Sequence, residues 1–254
     1  MKYTDLDLKK PVESKNYKLE SEFVISSVKQ IFEEKRESGN NKIIIKTNLK
    51  MGLPLENINK LAAPLIEAWA FETFLEIRDE SENKYRLINV EAQERLGMSD
   101  IILQFRKNKN VITGNIDVKA TSNNIKNSGK SPNITSFSRI RTAYIQNPDF
   151  IFIILSIKHK VYNEKNPITS IINGIMELTE FNIYDLKYVS EKDIAYNPSL
   201  GTGQIQIKDI HYVEYEYRTA WEMCQLLDKK YLNSSRRTIE DFYREAVKNK
   251  WIKE

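Results

Sequence analysis

In this chain of 254 residues, Asp100 is followed after sixteen residues by Asp117, and Lys119 stands two places further on. Two carboxylates with a lysine beside them suit metal-assisted hydrolysis of a phosphodiester. Hard oxygen ligands hold Mg²⁺, the ion neutralises the scissile phosphate and acidifies a bound water, and the lysine orients that water and meets developing charge. Lysine fits this role because burial and neighbouring charge shift its pKa more readily than an arginine's. The spacing brings the three together if 99–105 and 114–119 are strands of one hairpin. With Asn108-Lys109 as its two-residue loop, Asp100 falls opposite Asp117. Alternation then puts Asn115, Asp117 and Lys119 on one face and sends Ile116 and Val118 to the other. Like charges directly opposed destabilise a purely structural hairpin, so a compensating cation is expected. A bulge at Gly114 would slip this register. The competing reading is a surface cluster of ion pairs, since three residue types at loose spacing recur by chance in a chain with 39 basic and 35 acidic residues.

Other chemistries are excluded by composition. One cysteine, Cys224, cannot close an intramolecular disulfide, and the distant His159 and His211 cannot make a zinc site of the usual kind. A metal must therefore be held by oxygen, which selects Mg²⁺, with Mn²⁺ able to substitute. Glu67 is the candidate third ligand. On a helical wheel it lies among Ala63, Pro64, Ala70, Phe71 and Phe74, which predicts a carboxylate set in an apolar stripe. Glu72 is its rival on the same helix, and a pairing with a nearby cation is the alternative to a metal-site role.

The elements that must position these groups follow from periodicity. With 41% hydrophobic and 29% charged residues the chain has material for a sizeable core, and a net charge of +4 is compatible with a polyanion partner. No apolar run reaches a membrane span and the N-terminus MKYTDLDLKK is polar, so a cytoplasmic protein without a membrane partner is expected. Residues 1–20 read as an arm or loosely packed lead-in, 21–35 and 55–77 as helices, and 42–47 as a short β stretch. Strands are expected at 85–90, 100–105 and 111–120, a helix at 131–146, and a strand covered on both faces at 150–157. Strand-like segments follow at 171–176, 182–189 and 204–217, then helices at 219–231 and 238–248. Alternating acids and aromatics in Tyr212, Tyr215 and Tyr217 suggest a strand with one packed aromatic face. This order predicts an α/β (α+β) fold, a central mixed β-sheet flanked by helices in one domain spanning 1–254. Within it, 55–160 would be the catalytic core and 161–254 the DNA-recognition and C-terminal helical part.

The residues Asp100 and Ile116-Asp117-Val118-Lys119-Ala120-Thr121 resemble the PD-(D/E)XK nuclease core at the spacing of EcoRV-type restriction endonucleases, with Ser99 where a proline is usual. Pro132-Asn133-Ile134-Thr135-Ser136-Phe137 resembles the start of the helix after the active-site strand in HincII-type enzymes. Ala63-Pro64-Leu65-Ile66-Glu67 resembles the helix that lends these sites a carboxylate. The resemblance implies a type II restriction endonuclease, Mg²⁺-dependent, cutting double-stranded DNA at a short palindromic site and leaving blunt ends. It implies a homodimer, because a palindrome requires a two-fold symmetric reader, and a companion DNA methyltransferase.

Two stretches could touch DNA. In the glycine-flanked loop 200–208, Thr202, Gln204, Gln206 and Lys208 could reach base edges, and glutamine can bond adenine bidentately. The stretch is not a phosphate-cradling P-loop, lacking the G-x-x-x-x-G-K-[ST] pattern. The acid-free loop 121–130, with Asn123, Asn124, Lys126 and Lys130, and the following Asn133, Ser136, Arg139 and Arg141 could contact backbone phosphates. A structure-specific repair nuclease or junction resolvase on the same core, and a non-catalytic DNA-binding protein, remain alternatives at this point.

Overall fold

A computed structural model describes residues 1–94, 97–125, 129–199 and 201–253. The chain divides into two compact units, one of residues 1–21, 131–152 and 185–254, the other of residues 22–130 and 153–184.

The second unit is built on a mixed six-stranded sheet. Its strands are β1 (Lys42–Ile45), β2 (Leu87–Ala92), β3 (Ile101–Lys107), β4 (Asn110–Ser122), β6 (Ile151–Lys165) and β7 (Ile172–Asp185), in the order β1-β7-β6-β4-β3-β2. Helices α1 (Tyr17–Glu37), α2 (Leu55–Lys60) and α3 (Ala62–Asp79) accompany it. The α3 stripe Ala62, Ile66, Ala70, Thr73, Phe74 and Ile77 recurs every three or four residues and is buried. Phe32 of α1 meets Phe74 and Trp69 of α3 and Phe181 of β7 at ring-centroid distances of 5.2, 5.4 and 5.3 Å. Burying such a ring is worth about 2–3 kcal/mol, so this cluster fixes α3 on the sheet. The expected helix 55–77 is in fact two helices broken at Leu61.

The β3–β4 hairpin has the register read from the sequence. Ile101 pairs with Ile116, Leu103 with Gly114 and Lys107 with Asn110, with no shift along the ladder. Asn108 takes the positive φ of 57° that the tight turn demands and that asparagine tolerates. Gly114 does not bulge. A Cβ at that position would lie 2.8 Å from Val24 of α1, so the glycine is there for close packing.

The first unit holds a three-stranded sheet, β5 (Asn133–Ser136), β9 (Gln204–Ile207) and β8 (Ile194–Asn197) in that order, with α4 (Phe137–Gln146), α5 (Ala220–Leu232) and α6 (Ile239–Lys248). Thr219 and Thr238 close capping boxes with Glu222 and Asp241 at the starts of α5 and α6. Phe137 sits in an aromatic core, 4.5 Å from Tyr231 and 5.7 Å from Trp251 between ring centroids.

Four expectations are corrected. Residues 1–20 are not loosely packed: Leu8 and Tyr17 are buried, Leu8 bridges Ile252, and the Tyr3 hydroxyl donates to Asp228 at 2.7 Å. The helix expected from 131 starts at Phe137, because Asn133, Thr135 and Ser136 pair with β9 as strand β5, with a register shift at the β-branched Ile134, and Ser136 is the N-cap. The segments 171–176 and 182–189 are one long strand, β7, that ends in a 3₁₀ turn. The tyrosine-rich 211–217 is not a packed strand. It makes one isolated bridge, Tyr215 to Val189, flanked by backbone bonds from Ser190 N–H to Glu214 and from Glu216 N–H to Tyr188, and Tyr212, Tyr215 and Tyr217 are exposed.

Candidate active site

Asp100 sits at the mouth of the β3–β4 hairpin, where its backbone N–H donates to the Ile116 carbonyl at 2.9 Å. Its carboxylate accepts from the Val118 N–H at 2.7 Å, which turns it toward β4. Asp117 is 3% exposed, and Lys119 Nζ lies 2.7 Å from Asp117 Oδ2. Apart from this ion pair, Asp117 Oδ2 has no hydrogen bond. Ile116 is fully buried on the alternate face, as the strand pattern requires.

The electrostatics of the cluster are those of a site short of positive charge. Burial pushes the Asp117 carboxyl up to about 7, against the pull of Lys119, and the charges of Asp100 and Glu67 push the same way. Glu67 does not lie in the buried stripe of α3. It stands beside it on the exposed side with Ala63 and Pro64, because the stripe facing the sheet runs through Ile66 and Ala70 instead. Its carboxyl is nevertheless raised, first by partial desolvation and then by Asp100, with Lys119 opposing. Glu67 thus feels the two groups at the hairpin base. Glu72 is exposed on the same helix.

These groups fit a divalent cation. Among the described residues no group of three or more histidines, cysteines or carboxylates is placed to hold a metal ion. Mg²⁺ does not require one, since it is commonly held by one or two carboxylates with water and phosphate completing its shell. A buried aspartate whose only partner on Oδ2 is Lys119, under the charge of a second aspartate, offers the hard donors it takes.

The other candidate residues fall as follows. Asn123 Nδ2 donates to Thr179 Oγ1 at 2.9 Å and Asn124 Oδ1 accepts from the Val161 N–H at 2.8 Å, so both also tie the end of β4 to its neighbours. Lys130 is exposed, and Lys126 lies outside the described residues. Pairing of β5 with β9 gathers several others: Ser136 is opposite Gln204, and Gln206 Nε2 donates to Asn133 Oδ1 at 2.8 Å. Thr202 Oγ1 is 2.9 Å from Ser138 Oγ. Gln204 and Gln206 share the half-exposed face of β9 while Ile205 and Ile207 are buried, and Lys208 is exposed just beyond.

Arg139 is exposed on α4, but Arg141 is not available to phosphate. Its guanidinium is fully buried, donates through Nε at 2.6 Å and through Nη2 at 3.0 Å to the two Asp228 oxygens, and lies 4.2 Å from the Trp251 ring centroid. Two residues along α4, about half a turn, separate a surface arginine from a core one, and spacing alone did not reveal which was which.

Two remaining reactive groups are structural. Cys224 is buried and its thiol is pushed up to about 12 by desolvation, which keeps it inert. His159 on β6 has its Nε2 3.1 Å from Asn59 Oδ1, and burial lowers its pKa to about 4, so it is neutral at pH 7.

Comparison with known proteins supplies the class, that of the type II restriction endonucleases: the family model described as "Type II restriction endonuclease HpaI" matches residues 4–250. The chain belongs to that family. It is 65% identical over 254 residues, all of both chains, to the type II restriction enzyme HpaI of Haemophilus parainfluenzae. Among solved structures it is similar to the NlaIV restriction endonuclease, at 12% identity and a TM-score of 0.48 over 86% of this chain and 83% of that one. The protein is therefore a site-specific deoxyribonuclease that acts on DNA, as the sequence resemblance implied, rather than a repair nuclease or a non-catalytic binder. Among the described residues no helix is long and apolar enough to cross a membrane.

Proposed function

We propose that this chain is a Mg²⁺-dependent endonuclease that cuts both strands of a short palindromic site, as a homodimer, with a PD-(D/E)XK-type centre at the base of the β3–β4 hairpin. The observation that carries this is the buried Asp117 carboxylate, paired with Lys119 Nζ at 2.7 Å and near enough to Asp100 and Glu67 to feel both charges. Asp100 and Asp117 would hold the metal, and Glu67 would act from α3 as a third, outer carboxylate. The ion, when bound, supplies charge neutralisation at the phosphate and a more acidic water. Asp117 fixes Lys119 by the ion pair, and Lys119 in turn orients the attacking water in line with the phosphorus. Val118 N–H holds the Asp100 carboxylate in place, so that the donor pair is set before substrate arrives.

Thr202, Gln204 and Gln206 are proposed to read bases, supported by their common half-exposed face, with Asn133 and Ser136 alongside. Arg139, Lys130, Lys126, Lys208, Asn123 and Asn124 would contact the DNA backbone. Mn²⁺ is proposed to replace Mg²⁺, blunt ends to result, and a methyltransferase of matching specificity to protect host DNA. The test is digestion of long linear duplex DNA with Mg²⁺, Mn²⁺, Ca²⁺ or EDTA, followed by sequencing of fragment ends. Discrete fragments with flush, symmetric ends in Mg²⁺ and none in EDTA are expected. Metal-independent cutting or asymmetric ends would contradict the proposal.

A stability prediction follows from Asp117. Its folded value of about 7 exceeds the ordinary 3.8. The folded, metal-free protein therefore keeps a proton that the unfolded chain releases, and this contribution to stability is complete below pH about 4 and lost as pH rises through about 7. Without divalent cation, Tm should fall for the wild type relative to Asp117→Asn between pH 5 and pH 8, in differential scanning calorimetry. Mg²⁺ should restore more of it at pH 8 than at pH 5.5, because at the lower pH it must displace a proton. Parallel Tm profiles for the two proteins would remove Asp117 from the metal site.

A further inference from the structure

The loop between β8 and β9 is held by a residue far along the chain. Arg237 lies in the turn between α5 and α6 and is half-buried. Its Nε donates to the Tyr196 hydroxyl at 3.0 Å, and its Nη2 donates to the Pro198 carbonyl at 3.0 Å and also to the Gly201 carbonyl. The guanidinium carbon stands 5.4 Å from the Tyr231 ring centroid. The Tyr196 hydroxyl in turn donates a hydrogen bond to the Thr202 carbonyl at 2.7 Å. One planar cation thus ties three acceptors, and through Tyr196 a fourth, along a loop of six residues.

The loop is shaped to receive this clamp. Gly203 has φ of +86°, and a Cβ there would lie 2.2 Å from the Tyr196 ring, so only glycine lets the chain close over the tyrosine. The Gly203 carbonyl accepts from the Phe137 N–H at 3.0 Å and Thr202 meets Ser138 at 2.9 Å, which anchors the far side of the loop on α4. A loop that only joined two strands would not need its carbonyls drawn to an arginine from another helix pair.

We infer that Arg237 is a specificity-positioning residue: through Tyr196, Pro198 and Gly201 it fixes the backbone that presents Thr202 and Gln204 to a base pair. The inference rests on the reading of this loop as a DNA reader proposed above. Arginine suits the role because its donors diverge in a fixed plane, whereas lysine offers a single flexible point. Loosening the loop leaves the hairpin centre intact but lets Thr202 and Gln204 meet wrong bases nearly as well as right ones, so the loss falls on discrimination.

The experiment compares single-turnover cleavage of the cognate duplex with duplexes changed at one base pair, for wild type, Arg237→Ala, Arg237→Lys, Tyr196→Phe, Thr202→Ala and Gln204→Ala, all well below each variant's Tm. Arg237→Ala is expected to reduce the cognate to near-cognate ratio about tenfold or more, on the scale of one base-pair contact. Arg237→Lys and Tyr196→Phe should fall between it and wild type. If Thr202→Ala or Gln204→Ala lowers the ratio and neither Arg237 variant does, the positioning role is overturned while the reading loop stands. A uniform slowing on every duplex with the ratio unchanged has the same meaning. If Thr202→Ala and Gln204→Ala leave the ratio untouched, the loop does not read bases and both readings fall. Should Arg237→Ala not fold, Arg237→Lys and Tyr196→Phe decide.

Discussion

Asp117→Asn is expected to lower the rate of DNA cleavage in Mg²⁺ on the order of 10³-fold or more, while affinity for the same DNA in Ca²⁺ changes little. Asp117 is buried and its Oδ2 holds Lys119 at 2.7 Å, so one substitution removes the proposed metal ligand and frees the lysine. An amide keeps the shape of the side chain, which separates loss of charge from loss of packing. DNA affinity should persist because the proposed phosphate contacts lie elsewhere. Asp100→Asn should behave alike, while Glu67→Gln, an exposed residue at one remove, should cost less. Cleavage kinetics beside fluorescence-anisotropy binding checks both halves. A variant that cut at the wild-type rate would mean that the cluster is only an ion pair.

Asp228→Ala should give the largest loss of stability. Asp228 is 1% exposed, accepts two hydrogen bonds from Arg141 and accepts a third from the Tyr3 hydroxyl. Removing it leaves a fully buried guanidinium without its counter-charge and strands the tyrosine hydroxyl. Breaking such a pair from one side costs about 3–5 kcal/mol. For a chain of this size each kcal/mol lowers Tm by about 2–4 °C, so a fall of about 10 °C is expected in thermal unfolding. Arg141→Met together with Asp228→Leu should recover much of the loss, since no charge is then left unpaired. Arg139→Ala, two residues from Arg141 but exposed, should leave Tm within about 1 °C. It should instead make DNA binding less steeply dependent on salt. Equal Tm losses for Arg139→Ala and Asp228→Ala would contradict this division of the two arginines.

The hairpin was legible because its information is local. Two strands of alternating residues around Asn108-Lys109 set the β3–β4 register from the turn back to Ile101 and Ile116, which leaves Asp100 at the base of the hairpin with its carboxylate on the Val118 N–H. Strands β4 and β6 and helices α5 and α6 were visible for similar reasons, in the local pattern of apolar residues. What escaped the sequence depends on contacts between distant segments. The helical wheel put Glu67 among apolar residues, but which apolar residues face the sheet is set by Phe32 and Phe181, remote in the chain. Arg141 looked like any cation near a basic loop, and only the approach of α5 turns it into half of a buried pair. Residues 1–20 carry few apolar side chains, yet Leu8 and Tyr17 suffice to seat them. Strand β8 is four residues long and its pairing with β9 spans a loop, so neither periodicity nor length marked it. Arg237 left no signal, for its acceptors are the hydroxyl of the distant Tyr196 and two backbone carbonyls.

The most direct test of the hairpin as the hydrolytic centre is to titrate Mn²⁺ into the protein with its uncleaved DNA at low temperature, following bound ion by electron paramagnetic resonance, for wild type, Asp100→Asn and Asp117→Asn. The account predicts saturable binding by the wild type, displaced by Mg²⁺, and its loss in both variants with DNA still bound. Mn²⁺ binding by both variants as tight as by the wild type would place the metal, and the chemistry, somewhere else.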